Sequence, residues 1–475
     1  MDRTSLIAFV SLSALTSCST AEDSGEVTLV TGGETTADVF STPPAPATLR
    51  VDAVTPSGTG TALTTSTIAD VSLPTSTIDL GSQSETTGTI LTVTGLAGDD
   101  AGDVRVLFGA SLPMYLGNLN GYNLNIFIQR TGELARMSST GMSDARTAPT
   151  LGVIEGRYVF VGGGNEGDVS TQLFDFLSYT WMTSPPALPI VPRSIVFDDM
   201  VAWVFDDSGA AYYDFSGQVA STTITFPAGG SSSDVAGGAT VADGSSSGVY
   251  YVVGPTRTSV PTNLVLKVDT STTTQSGYPY GNPSWLTAST PRVGAATVWA
   301  AGYGLVLIGG NTTTDGAGVE IFAEGATVGS PRAFPSDATT GAGADALDAT
   351  HVLVVGGIDG DGMTDAGVRV IDLSCGENCA PTSCLASLPS ALVATQVFDI
   401  DGSNATAVGD DASGTTHVFR ITSPDAWTTC SATEVPTKVS HTRARAILSP
   451  PSTVAPGSFV LVGGATGGEI ESFVP

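Results

Sequence analysis

The sequence is poor in charged residues and contains almost no lysine. Charged residues make up 13% of the 475 positions, and Lys267 and Lys438 are the only lysines. The 46 acidic residues outnumber the 17 basic ones and give a formal net charge of −29. Because such a surface repels phosphate backbones, we exclude nucleic acid as a partner. We interpret the acidic residues as a solvated surface layer. The alternative is that they serve to bind cations.

The sequence also lacks the apolar spacing of amphipathic helices. After the N-terminus no apolar run approaches the roughly 20 residues of a membrane span. Glycine, in contrast, occurs 57 times, and serine and threonine are also abundant. This composition favours many short strands joined by turns. The sequence therefore predicts an all-β fold.

The N-terminal segment has the plan of a secretory signal peptide. Arg3 precedes an apolar stretch over residues 6–15, which is too short to span a membrane as a mature helix. Small residues follow, and the ending "LTSC" at Cys18 resembles the lipobox of bacterial lipoproteins. The resemblance implies cleavage after residue 17 and lipidation of Cys18. Ser19, the residue after that cysteine, implies location at the bacterial outer membrane, on either its periplasmic or its surface face. An ordinary signal peptide that happens to carry a cysteine is the alternative.

Residues 18–88 are dominated by threonine, serine, glycine and proline. Apolar residues are thinly spread there, so the segment buries too little surface to offset its ordering entropy. We predict that residues 18–88 are a flexible tether, which holds a folded domain of residues 89–475 away from the membrane. Short pieces such as "ATLRVDAV" could still add a strand to that domain.

One motif recurs along the rest of the chain: an apolar strand that ends in glycine, a polar loop and a second strand. Clear copies are "GRYVFVGGGNEGDVSTQLFDF" from residue 156, "GLVLIGGNTTTDGAGVEIF" from 304 and "HVLVVGGIDGDGMTDAGVRVIDL" from 351. The copies recur about every 50 residues, a period that indicates a radial array of small sheets. We count eight units, centred near residues 107, 160, 203, 251, 306, 353, 407 and 461.

Other landmarks recur with this motif. A start that resembles Pro-Arg precedes an apolar strand in several units, and Trp181, Trp285 and Trp427 follow the second strand of the motif. Together these features resemble the kelch repeat. The resemblance implies a closed β-propeller of four-stranded blades, seven or eight in number according to whether the weak first unit is a true blade. The last unit has no recognisable fourth strand, and a strand near residues 48–95 could complete it.

The loop "DGDGMTD" places Asp359, Asp361 and Asp365 at spacings similar to those of a calcium loop. The position at which such a loop carries its bidentate glutamate is Val370. Aspartate and glycine also suit tight turns on their own. We interpret the loop as a hairpin turn between the second and third strands of its unit, and a calcium site is the alternative.

Four cysteines remain after Cys18, namely Cys375, Cys379, Cys384 and Cys430. In an exported protein an even number of cysteines favours disulfides, so we predict two bridges among these four residues. Three pairings are open, and zinc binding is the alternative.

The three histidines lie in different units, which argues against a catalytic or metal cluster. Galactose oxidase, a kelch propeller, needs two histidines, two tyrosines and a cysteine crosslink for its copper, and no such set matches here. The Asp-box pattern of sialidases is absent. We predict no catalytic residues and, apart from the calcium alternative, no resident metal or cofactor.

These features predict a monomeric propeller that contacts the membrane through its lipid anchor only. Its expected function is non-enzymatic binding or scaffolding of a protein or glycan ligand. The alternative is an exported carbohydrate-directed enzyme with a site at the axial mouth of the propeller. Acidic, basic and aromatic side chains converging at that mouth would favour the enzyme.

Overall fold

A computed structural model describes residues 24–56, 63–84, 87–98, 103–165, 167–182, 187–216, 219–221, 224–256, 260–271, 281–310, 318–332, 340–375, 382–383, 387–425 and 427–475. The chain divides into two compact units, Met1–Thr131 (unit 1) and Gly132–Pro475 (unit 2). Strands dominate both units. Within the described ranges no helix combines the length and apolar character that a membrane span requires.

Unit 1 contains nine strands and one short α-helix among its described residues. They are β1 (Gly25–Val30), α1 (Thr36–Phe40), β2 (Thr48–Pro56), β3 (Leu63–Ser72), β4 (Thr77–Gly81), β5 (Gly88–Ala97), β6 (Val104–Ala110), β7 (Met114–Tyr115), β8 (Asn123–Phe127) and β9 (Gln129–Arg130). A 3-10 helix, Leu116–Leu119, follows β7.

The strands of unit 1 form two sheets around one core. One sheet has the order β4-β1-β8, with β1 and β8 parallel. The other has the order β3-β2-β5-β6-β9, and β7 pairs with β5. Fully buried residues of the core come from both sheets, among them Val27, Leu49, Leu91 and Ile126.

The tether predicted for residues 18–88 is therefore wrong over the described part of that range. The prediction failed because the strands of this range carry few apolar residues within a Thr/Ser-rich background. In β4, for example, Ile78 and Leu80 are buried while Asp79 and Gly81 are exposed, which is the alternation of a half-buried strand. The domain boundary predicted at residue 89 is also wrong, since β5 spans it and unit 2 begins at Gly132.

Unit 2 contains seven four-stranded sheets among its described residues. Sheet 1 has β11 (Thr150–Ile154), β12 (Tyr158–Gly162), β13 (Thr171–Asp175) and β14 (Thr180–Trp181); sheet 2 has β15 (Ser194–Asp198), β16 (Val201–Phe205), β17 (Ala210–Asp214) and β18 (Val219–Ser221); sheet 3 has β19 (Ala239–Ala242), β20 (Val249–Val253), β21 (Thr262–Asp269) and β22 (Asn282–Arg292); sheet 4 has β23 (Ala296–Ala300), β24 (Gly304–Ile308), β25 (Val319–Phe322) and β26 (Ser330–Arg332).

The remaining three sheets follow the same plan. Sheet 5 has β27 (Gly343–Ala346), β28 (His351–Val355), β29 (Val368–Asp372) and β30 (Thr382–Ser383); sheet 6 has β31 (Val393–Asp399), β32 (Asn404–Asp410), β33 (Thr416–Thr422) and β34 (Ser431–Glu434); sheet 7 has β35 (Arg445–Leu448), β36 (Phe459–Val462), β37 (Ile470–Phe473) and β10 (Leu134–Arg136). Short 3-10 helices cover Ser232–Asp234, Leu373–Cys375 and Pro450–Thr453.

The second strand of each clear repeat is dry on both faces, as its continuous apolar sequence predicts. Residues 305–308 of β24, 352–355 of β28 and 459–462 of β36 are fully buried. Such strands have neighbours on both sides, so apolar residues occupy every position rather than alternate ones. Trp181 and Trp285 lie in fourth strands, and Trp427 precedes the fourth strand of sheet 6.

Sheet 7 is completed by a strand from the start of unit 2. β10 pairs antiparallel with β37, with Leu134 opposite Phe473 and Arg136 opposite Glu471. The strand predicted for this place, near residues 48–95, belongs to unit 1 instead. The weak repeat near residue 107 is β6, also in unit 1. The repeating sheets of unit 2 make its fold propeller-like and all-β.

The first strands of consecutive sheets lie against one another. β11 contacts β15, and the series continues through β19, β23, β27 and β31 to β35, which contacts β11. Hydrogen bonds join the same neighbours: the Thr150 hydroxyl donates to the Pro192 carbonyl at 2.9 Å, and the Ala148 amide donates to the Arg443 carbonyl at 2.6 Å. The apolar contacts between sheets therefore have polar contacts beside them.

Candidate functional site

A cavity of about 570 Å³ lies where the first strands of unit 2 begin. Each of the seven sheets contributes a short segment to its wall. These segments are residues 149–151, 193–195, 237–240, 294–295, 341–342, 394–396 and 445–448, with residues 254, 256 and 398 beside them. We call this space the first-strand cavity.

The wall of the first-strand cavity is built by a repeated turn. A residue with positive φ stands two positions before the first strand in several sheets, for example Gly294 (φ 58°) and Gly341 (φ 72°). Glycine adopts this conformation without steric cost. The turn places backbone amides toward the next sheet, since the Gly341 amide donates to the Gly294 carbonyl at 2.8 Å and the Gly294 amide to the Gly254 carbonyl at 3.1 Å.

Two arginines are part of the cavity wall, and the surroundings of their guanidinium groups differ. Arg445 donates to a carboxylate oxygen of Asp410 at 2.9 Å and to the Ala444 carbonyl at 2.7 Å. Arg193 is half-buried, and among the described residues its side chain has neither an ion pair nor a hydrogen bond. The positive charge of Arg445 is thus balanced, whereas that of Arg193 has no counter-charge within the described part of the chain.

The uncharged polar side chains of the wall already donate to backbone carbonyls. The Ser194 hydroxyl donates to the Val235 carbonyl at 2.9 Å, and the Thr240 hydroxyl to the Ile195 carbonyl at 3.0 Å. The Gln396 amide donates to the Ala446 carbonyl at 2.6 Å. Thr395 differs, because its buried hydroxyl has no hydrogen-bond partner among the described residues.

The wall contains no aspartate, glutamate, histidine or cysteine among the described residues. Those side chains are the usual general acids, general bases and nucleophiles of enzymes. The first-strand cavity therefore offers hydrogen bonds and one unbalanced cation, but no group suited to transfer a proton at neutral pH.

A second repeated feature, made by residues outside the cavity wall, accounts for two of the Pro-Arg-like starts, at Arg146 and Arg292. Four residues before the first strand of its sheet, Arg146 donates to the carbonyl of Gly163 at 2.8 Å, and Arg292 donates to that of Gly309 at 2.5 Å. His441 takes the same place in sheet 7, with Nδ1 2.6 Å from the Gly463 carbonyl. These three buried side chains hold the turn after the second strand, so they support the fold and are not exposed to a ligand.

Each of these buried groups has an acidic partner. Arg146 lies 3.3 Å from Asp168, Arg292 lies 3.3 Å from Glu320, and His441 lies 3.2 Å from Glu471. Burial lowers the pKa of Arg292, and the negative charge of Glu320 opposes that effect. Breaking either arginine–carboxylate pair leaves the remaining charge buried and unpaired, which is costly.

The acidic loop of sheet 5 joins the second and third strands, as predicted. Asp359 accepts hydrogen bonds from the amides of Asp361 at 3.0 Å and Met363 at 2.9 Å. Asp365 accepts from the Gly367 amide at 2.8 Å and forms an ion pair with Arg369. Across the described ranges there is no group of three or more His, Cys, Asp or Glu residues placed to hold a metal ion.

The predicted cysteine sites fall largely outside the described residues. Cys18, Cys379 and Cys384 are among the residues left undescribed, and Cys375 ends a 3-10 helix with its side chain also undescribed. Cys430 is disulfide-bonded. The two bridges, their pairing and the lipidation of Cys18 remain predictions.

The histidines lie in three different sheets, and each has an acidic neighbour. His351 Nδ1 is 2.8 Å from Asp348, and His417 Nδ1 is 2.8 Å from Glu434. His441 is fully buried beside Glu471. Across the described residues the structure brings none of the three to the first-strand cavity.

Sequence reasoning missed Arg193 as a site residue. "VPRS" was a marker of a strand start, like "TPRV" around Arg292. Arg292 lies four residues before its first strand and is buried against Glu320, whereas Arg193 directly precedes β15 and lines the cavity. Only the distance from the following strand separates the two arginines in sequence.

Comparison with known proteins gives little for this chain. No family model matches it, and no curated protein matches it. A solved structure described as "Structure of YjhT" is similar, with 15% sequence identity and a TM-score of 0.41. That similarity covers 62% of this chain and 99% of the other. It carries no argument about what this chain does.

Proposed function

We propose that unit 2 is a closed, seven-bladed, kelch-like propeller. Three features support this proposal: the contact between β11 and β35, the pairing of β10 with β37, and the contribution of all seven sheets to one cavity. A closed ring removes the exposed sheet edges that an open array would leave. The Gly-ended dry strands and the tryptophans after them support the kelch type.

The proposed location of the protein is the bacterial outer membrane, to which a lipid on Cys18 anchors it. The apolar segment over residues 6–15 and the ending "LTSC" support it. Replacing Cys18 by serine should move the protein from the membrane fraction to the soluble fraction. Unchanged membrane retention of Cys18→Ser would contradict the anchor.

The proposed activity is non-enzymatic binding of a ligand in the first-strand cavity. The observation that carries this proposal is a wall built by all seven sheets that, among its described residues, holds hydrogen-bonding groups and a free guanidinium but no acid–base pair. Its volume lies in the range typical of small-ligand sites. A small ligand, or the terminal sugar of a glycan, fits this space better than the face of a folded protein.

The test is to fill the cavity without touching the core. Ala239 is exposed and lines the cavity, so Ala239→Trp should occlude it while the protein remains folded. Ala242 lies on the same strand, is exposed and is not part of the wall, which makes Ala242→Trp the matched control. On a glycan array, the exported chain should bind a defined set of sugars, Ala242→Trp should bind the same set, and Ala239→Trp should lose it.

Two results would contradict the proposal. Equal binding by Ala239→Trp and the unsubstituted chain would place the ligand elsewhere. Turnover of a bound glycan into product, seen by mass spectrometry and abolished by Ala239→Trp, would identify an enzyme rather than a binding module.

A further inference from the structure

Arg193 is unusual in this molecule because it is half-buried and has no carboxylate close by among the described residues. Acidic residues outnumber basic ones by 46 to 17 in the chain. The arginines that are buried or half-buried in unit 2 mostly have a carboxylate close by: Arg146, Arg157, Arg292, Arg369 and Arg445. Arg193 has none among the described residues, although acidic partners are abundant.

An unpaired guanidinium in a cavity carries a free-energy cost, because part of its hydration is lost and no carboxylate replaces it. An anionic ligand that enters the cavity removes this cost. A carboxylate suits the planar guanidinium best, since the two groups form parallel, charge-assisted hydrogen bonds. Arg193 is part of the cavity wall, directly before β15, and is only half-buried, so we infer that such a ligand can reach it.

The rest of the wall favours a ligand with hydroxyl groups. The hydroxyls of Thr150 and Thr240, which are at least partly exposed, donate to backbone carbonyls, so the lone pairs of their oxygens remain free to accept hydrogen bonds. A wall of acceptors beside one cation is complementary to a molecule that combines hydroxyl donors with a carboxylate.

We propose that the first-strand cavity binds a small carboxylate-bearing sugar, of the uronic acid type, and that Arg193 receives its carboxylate. This inference rests on the proposed binding function and names the chemical class of its ligand. The net charge of −29 repels anions at long range. At physiological salt that repulsion is screened within about 8 Å, so the local charge of Arg193 governs binding.

The experiment compares matched acid and neutral sugars on the exported chain carrying Cys18→Ser. Galacturonate is paired with galactose, glucuronate with glucose, and acetate serves as the bare carboxylate. Binding is measured by titration calorimetry and ligand-observed NMR at physiological salt. We expect at least one uronate to bind more than about 10-fold more tightly than its neutral partner, and acetate to bind weakly.

The variants isolate the role of Arg193. Arg193→Gln should weaken uronate binding by about 10- to 100-fold and leave the weak binding of the neutral sugar unchanged. Arg193→Lys keeps the charge but not the planar fork of donors, so its affinity for the uronate should lie between those of the unsubstituted chain and Arg193→Gln. The charge control is Arg443→Gln, because Arg443 is exposed and lies outside the cavity wall. The melting temperature of each variant identifies any loss of fold.

Failure of this inference can be separated from failure of the proposed function. If Ala239→Trp abolishes sugar binding while Arg193→Gln does not, the cavity binds a ligand but the carboxylate assignment is wrong. If acetate binds as tightly as the uronates, the site is a simple anion site and the sugar is wrong. If no uronate binds, the carboxylate assignment is overturned. If uronates bind but Ala239→Trp has no effect on their binding, both the carboxylate assignment and the proposed binding in the first-strand cavity are overturned.

Discussion

At the scale of single residues, much of the acidic composition has a structural role. Aspartates at strand ends accept hydrogen bonds from the amide, and often the hydroxyl, of a serine or threonine two positions later. Asp411 accepts from the Ser413 hydroxyl at 2.7 Å and from its amide at 2.8 Å. The same arrangement occurs at Asp206, Asp214, Asp243, Asp269, Asp348 and Asp372. The acidic surface layer is therefore partly a set of turn formers.

These turns affect acid stability. Hydrogen bonds, first that of the Ser413 hydroxyl, lower the pKa of Asp411 to about 2, although burial opposes this effect. A carboxyl whose pKa is depressed in the folded state stabilises the protein above its ordinary value near 4. That contribution is lost as the pH falls from about 4 to about 2.

Asp345 and Asp399 have the opposite effect. The Asp399 amide donates to an Asp345 carboxylate oxygen at 2.7 Å, so the two side chains are close. Burial raises the pKa of Asp345, and burial with the charge of Asp345 raises that of Asp399 to about 6. A carboxyl with a raised pKa binds its proton more tightly in the folded state. Its presence therefore lowers stability as the pH rises from about 4 to about 6.

We predict that Asp399→Asn increases the free energy of unfolding at pH 7, by no more than about 3 kcal/mol, and reduces its pH dependence between about 4 and 6. Urea unfolding across this range measures both effects. Asp361→Asn is the control, because Asp361 is exposed and its side chain has no partner among the described residues. A variant whose stability still declines with the original slope would show that the pair does not titrate there.

At the scale of elements, the turn before a first strand carries strain where its positive-φ residue is not glycine. Ala148 adopts φ 50° at this place, and Gly341 adopts φ 72°. A non-glycine residue in the left-handed region costs roughly 1–2 kcal/mol. Ala148 is exposed, so its methyl group contributes no packing that offsets this cost.

Exchanging these two residue types should change stability in opposite directions. Ala148→Gly should stabilise unit 2 by up to about 1 kcal/mol, and Gly341→Ala should destabilise it by a similar amount. A Cβ on Gly341 would meet the Ala394 amide nitrogen at 3.4 Å, an ordinary contact, so strain alone is tested. Denaturant unfolding gives both values, and changes of the same sign would refute the explanation.

The acidic loop of sheet 5 gives another prediction at this scale. Asp359 and Asp365 already accept backbone and arginine hydrogen bonds, which a calcium ion would have to replace. We therefore expect millimolar calcium to leave the melting temperature nearly unchanged. Calorimetry with calcium and with chelator measures this. A rise of several degrees that Asp361→Asn abolishes would establish the calcium alternative.

The strands also show which structural features can be predicted from the sequence and which cannot. Dry strands such as "VLVV" in β28 were predictable because apolar side chains fill consecutive positions. Unit 1 was not predictable, because β4 and its neighbouring strands each bury few residues. Their shared core forms only when all of these strands have paired. The first-strand cavity was not predictable either, since segments about 50 residues apart in the repeat must meet before it exists.

At the scale of the whole molecule, the two ends of unit 2 meet in sheet 7. β37 pairs with β36 on one side and with β10 on the other. Within β37, Glu471 accepts from the amides of Lys438 at 3.0 Å and Val439 at 2.8 Å, and it lies beside His441. Losing β37 would expose β36 and β10 and leave these buried polar groups without partners.

We predict that deleting residues 468–475 abolishes the cooperative unfolding of unit 2, because every sheet of a closed ring depends on its two neighbours. Scanning calorimetry should show that the transition of the intact protein disappears or falls far in temperature. The deletion of residue 475 alone is the control, because it leaves β37 intact. A chain without residues 468–475 that melts at the original temperature would mean that the sheets stand independently, and the closed ring would then be wrong.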